Sequence, residues 1–128
     1  MEANAPLKKT VDTLVTTGFR STLYMVLAEL LEKFPVTLKT REQAVDMLLL
    51  GRRVGRMLLY GNSVTVEVKV NLDDSLEEQL QEMDVINRQQ DGNTLRFDWH
   101  PRIDPDDMSD FLASVMKINL KRHRRKKK

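Results

Sequence analysis

The chain contains no cysteine, which excludes disulfides, thiolate metal sites and cysteine nucleophiles. It has only two histidines, His100 and His123, and neither sits in an H-E-x-x-H or H-x-x-E-H spacing. A zinc site needs three or four convergent nitrogen, sulfur or carboxylate ligands, and no such set is spelled out. The five glycines are scattered, so no glycine-rich phosphate loop is present. Aromatic residues make up 5% of the chain, so a core must be built mainly from Leu, Val and Met. No stretch approaches the roughly 18 uncharged apolar residues that span a bilayer. Met1 to Thr10 also lack the apolar segment of a secretory leader. These absences point to an intracellular protein, cytoplasmic or, in a eukaryotic source, nuclear. They argue against a membrane partner, a cofactor, a metal and, with no nucleophile–base pair in view, an enzyme.

Four aspartates, Asp104, Asp106, Asp107 and Asp110, come close together and raise the question of a magnesium site. Asp-Pro-Asp-Asp is also how a helix begins. Carboxylates in a first turn stabilise it by about 0.3–1 kcal/mol each, and the helix-start reading is preferred.

What the sequence does have is 128 residues with 41% apolar content, enough for one domain with its own core. Its charge is partitioned. Residues 121–128 read KRHRRKKK, which takes seven of the 21 basic residues and leaves fourteen against nineteen acids. The body is thus formally −5 and the tail +7, although the whole chain is only +2. Residues 73–110 alone hold twelve acids and three arginines.

Hydrophobic periodicity predicts α+β architecture. Residues 1–10 read as a loosely held arm, with helical spacing beginning at Leu7 and running through Val11, Leu14 and Val15. Leu23, Leu27, Leu30, Leu31 and Phe34 form an apolar stripe for a helix over 21–34, stopped by Pro35. Val36 to Leu38 reads as a short strand or an extended connection. Thr40 and Gln43 have capping-box spacing ahead of Ala44, Val45, Leu48 and Leu49, which predicts a second helix. Residues 52–60 fit either a continuation of that helix or a strand entering a hairpin through Gly61-Asn62. Val64, Val66, Val68 and Val70 alternate with polar residues and predict a one-sided strand. Ser75 with Glu78 predicts the start of a helix carrying Leu76, Leu80, Met83 and Ile86. Asp91-Gly92-Asn93 marks a turn before an alternating strand over 94–99. Asp104 and Pro105 open a last helix with Met108, Phe111, Leu112, Val115 and Met116 on its buried side. The expectation is a small antiparallel sheet of two to three strands with about four helices packed mainly on one face. Residues 1–120 form that single domain, and 121–128 form a basic disordered tail.

Two clusters qualify as binding residues. Seven cations in the tail repel one another, and one or two would suffice to complement a helix C-terminus, so the excess implies a polyanionic partner. These are Lys121, Arg122, Arg124, Arg125, Lys126, Lys127 and Lys128. Arg52, Arg53 and Arg56 form a second cationic group, with Arg52 and Arg56 expected on one helix face. The functional expectation is a non-enzymatic nucleic-acid-associated accessory or regulatory protein, DNA versus RNA left open, whose tail contacts the phosphate backbone. The alternative is a protein–protein adaptor or assembly subunit, with a protein partner or a second copy docking on the acidic 73–110 surface. In that case the tail is a tether or nuclear-import signal.

Overall fold

The computed structural model describes residues 5–126. Helix α1 (Ala5–Leu14) buries Leu7 and Val11, so the predicted arm is helical from Ala5 onward and packed against the core. Residues 1–4 lie outside the described residues. Helix α2 (Thr17–Lys33) starts four residues ahead of Ser21, with Thr16 as its extended N-cap residue. It ends at an extended Phe34, the conformation a following proline favours.

Four consecutive antiparallel strands follow: β1 (Val36–Thr40), β2 (Ala44–Leu49), β3 (Arg52–Tyr60) and β4 (Ser63–Lys69). Helix α3 (Asp74–Met83) comes next, capped by Asp73, whose carboxylate accepts from Leu76 N at 2.8 Å. The hairpin of β5 (Ile86–Asp91) and β6 (Thr94–Trp99) then completes one antiparallel sheet in the order β1-β2-β3-β4-β6-β5. Helix α4 (Pro105–Lys126) closes the described chain. No helix among the described residues is long and apolar enough to cross a membrane.

The sheet therefore has six strands where two to three were expected. The segment predicted as a second helix is β2, and residues 52–60 are a strand. The β2 error has a clear cause. Ala44, Val45, Asp46, Met47 and Leu49 are all buried, so both faces of the strand are covered and the alternation of a one-sided strand disappears. The other missed strand, β5, is exposed at every residue and carries no apolar pattern at all. Asp84 adopts a left-handed φ of 54° that ends α3 at Met83, so Ile86, expected on this helix, begins β5 instead.

One face of the sheet makes the core. Met47, Met57, Val66 and Phe97 occupy it in adjacent strands, as do Leu59, Val64 and Trp99. Helices α2 and α4 meet this face through two edge-to-face aromatic pairs, Phe19–Trp99 at 5.2 Å and Phe97–Phe111 at 5.7 Å. At Gly55 a Cβ would meet Glu67 O at 2.7 Å and Met47 Cε at 2.7 Å, next to the β-bulge where β3 shifts register against β2.

Helix α4 does not stop at residue 120. It runs 22 residues to Lys126, roughly 33 Å, through the first six positions of the segment expected to be disordered. Nothing after Pro105 breaks a helix, Lys and Arg are good helix formers, and cations at this end oppose the negative pole of the macrodipole.

Candidate functional site

The turn Leu50–Gly51 has positive φ at both residues, 52° and 83°, the twist that closes a two-residue hairpin. It delivers Arg52 and Arg53 at the very start of β3, both exposed. Arg52 and Arg53 stand across from Leu49 and Leu48 at the end of the sheet where β4 finishes in Lys69.

The last turns of α4 are fastened to this same end. Asn119, buried among the apolar positions of the helix, donates through Nδ2 to the Lys69 carbonyl at 2.8 Å and to the Val115 carbonyl at 3.0 Å. Arg122 and His123 follow three and four residues later, on the helix face that Asn119 holds against the sheet. Arg52, Arg53, Lys69, Arg122 and His123 consequently line one cavity of about 150 Å³, floored by Leu49 and Val54 and flanked by Asn93 and Asn119. No carboxylate lines it among the described residues. None of its four permanent cations joins an ion pair within 4.0 Å among the described residues. The His123 Nδ1 atom is shut off from solvent without a hydrogen-bond partner among them.

A second cavity of about 230 Å³ shares Arg53 and Lys69 and adds Arg56, Glu67 and Thr94. It leads onto the face of the sheet turned away from the helices. There the register sets Lys39, Asp46, Arg56, Glu67 and Arg96 side by side across five strands, in alternating charge. Asp46 is the buried member. Its carboxylate accepts from Arg56 Nε at 2.8 Å and from Arg41 Nε at 3.0 Å. Burial pushes its pKa up, but the two guanidinium hydrogen bonds outweigh that and hold the carboxyl below the ordinary range.

The predicted site residues divide accordingly. Arg52 and Arg53 are together with Arg122 around one cavity, although on a strand and not on a helix. Arg56 points onto the open face and is bound to Asp46. Lys121 is exposed and does not line the cavity, and Arg124, Arg125 and Lys126 continue the α4 backbone. Lys127 and Lys128 lie outside the described residues. The four acids near the start of α4 act at that helix end, where Asp104 Oδ1 accepts from Asp106 N at 2.8 Å. Lys69, Asn93, Asn119 and His123 were missed. Only Asn119 left a trace in sequence, as a polar residue at the core spacing that follows Val115 and Met116.

Comparison with protein-family models, with curated proteins and with solved structures finds no match. The site is therefore read from its own chemistry, that of an open-faced α+β protein with a basic cavity at one end of its sheet.

Proposed function

We propose that this is a non-enzymatic, nucleic-acid-associated accessory or regulatory protein that grips the phosphate backbone with the basic end of α4 and the cavity beside it. One observation carries the reading. Cations from three distant parts of the chain, Arg52 and Arg53, Lys69, and Arg122, line a single cavity that holds no acid among the described residues. A solvated basic tail would need no such collaboration from an otherwise acidic body. No Phe, Tyr or Trp lines the cavity among the described residues, so the expected contacts are to phosphate and the binding is expected to tolerate sequence.

Neutralising about five phosphates gives a log–log salt slope of roughly −3.5 to −4.5. Fluorescence anisotropy of labelled duplex DNA, single-stranded DNA and RNA at two salt concentrations tests the reading. Replacing Arg52 and Arg53 with Gln should weaken binding about tenfold and flatten the slope by about two, as two phosphate contacts are lost. Replacing Lys8 and Lys9, at the other end of the chain, should change little. Equal losses in the two variants, or no binding by the full chain, would overturn the proposal.

The second reading is an adaptor that receives a basic protein. It is favoured by Asp74, Glu78 and Glu82, exposed at four-residue spacing along α3. Binding to a basic protein that disappears on reversing these three charges, in a chain that ignores nucleic acid, would establish it.

A further inference from the structure

We infer that the cavity between the start of β3, the end of β4 and the last turns of α4 is a socket for a single phosphoryl group, supplied by the terminus or by the backbone of a nucleic acid. The inference rests on the nucleic-acid reading for the source of the group, and on the cavity itself for its chemistry.

Size is the first argument. A volume of about 150 Å³ holds roughly five waters, or one tetrahedral anion with a remnant of its hydration. Small-molecule pockets begin at around 300 Å³, so an entire nucleotide does not fit inside. The occupant is a group, not a whole ligand.

Donor geometry is the second. Arg52 and Arg53 line the cavity from the start of β3, Lys69 from the end of β4, and Arg122 and His123 from α4. Cationic residues of three elements around one small cavity suit the oxygens of a tetrahedral anion better than the planar pair of a carboxylate.

Charge is the third. Permanent cations are gathered here without a lining carboxylate, so the folded state carries local repulsion that an anion relieves. An occupant bridging Arg52 and Arg122 also ties the end of α4 to β3, reinforcing the contact that Asn119 makes with the Lys69 carbonyl.

The test is thermal unfolding of the full chain in phosphate and in chloride at matched ionic strength. Phosphate at ten times its Kd should raise Tm by roughly 3–6 °C and saturate. In the Arg52→Gln/Arg122→Gln double variant that rise should vanish, while Tm in low-salt chloride stays level or climbs because repulsion is relieved. A rise no larger than that in chloride, or one that survives in the variant, overturns the socket. A variant that unfolds is replaced by the single substitution Arg122→Gln, for which at least a fivefold weaker phosphate response is expected and an unchanged response overturns the socket.

A matched pair of oligonucleotides, with 5′-phosphate and with 5′-hydroxyl, separates the two sources. Preference for the phosphate assigns the socket to a terminal phosphate. Equal binding that both lose in the double variant assigns it to a backbone phosphate. Stabilisation by phosphate without oligonucleotide binding would leave the socket standing and remove the nucleic-acid reading. Oligonucleotide binding without a phosphate-specific rise would do the reverse.

Discussion

Asp46 shows what a single residue contributes to this fold. Its side chain is 2% exposed, and it joins the β1–β2 connection to β3 by accepting from both Arg41 and Arg56. Those arginines are 53% and 34% exposed, so water screens the pair and its loss costs less than that of a fully buried one. Asp46→Asn should destabilise the protein by about 1–3 kcal/mol at neutral pH, measured by urea unfolding. Because the folded carboxyl titrates below its unfolded value of about 3.9, its contribution is fully present above that pH and is lost as pH falls through the folded value. The gap between wild type and variant should therefore close in acid. A gap that is constant down to pH 2 would mean that the charge of Asp46 is not what stabilises. Gly55 makes a steric counterpart. A methyl there meets the Glu67 backbone, which cannot rotate aside, and Gly55→Ala should cost about 1–3 kcal/mol by the same assay.

At the level of elements, the β2–β3 hairpin places Leu50 in a left-handed conformation that suits Asn and Gly, with the side chain 46% exposed. Leu50→Asn should stabilise the protein by about 0.5–1 kcal/mol, and a lower denaturation midpoint would contradict the turn geometry. The same hairpin explains where sequence reading succeeds and where it fails. Elements with one wet and one dry face, β4, β6, α2 and the first part of α4, were legible because their apolar spacing records the face. In β2 the record is blurred because Ala44 and Leu48 stand on the same face as Asp46, opposite Val45, Met47 and Leu49, so the apolar residues no longer alternate. In β5 it was never written, since the strand is held by pairing with β6 and by polar contacts, Arg88 with Glu77 of α3 and Gln90 with the Val70 carbonyl, and not by an apolar face. The basic cavity was legible only in halves. Arg52, Arg53 and Arg122 stood out as clusters, but their meeting depends on the strand pairing that brings Lys69 beside β3 and on the Asn119 hydrogen bond, neither of which leaves a local pattern.

For the whole molecule, the core does not depend on the basic end. Residues 121–123 bury little apolar surface, and a chain ending at Leu120 should unfold within about 2 °C of the full one at moderate salt. Trp99, the only tryptophan, is fully buried against Phe19, so its emission should shift red in one step with the loss of helical circular dichroism. Two separate transitions would contradict a single core. Helix α4 carries the wider consequence. Asp104, Asp106, Asp107 and Asp110 gather at one end of a rod of roughly 33 Å, and Lys121, Arg122, Arg124, Arg125 and Lys126 at the other. Helix α4 thus carries its own charge separation along that rod. For the polyanionic partner proposed above, such a helix would be turned before contact to present its C-terminal end first, and added salt would then be expected to slow arrival more than it hastens departure.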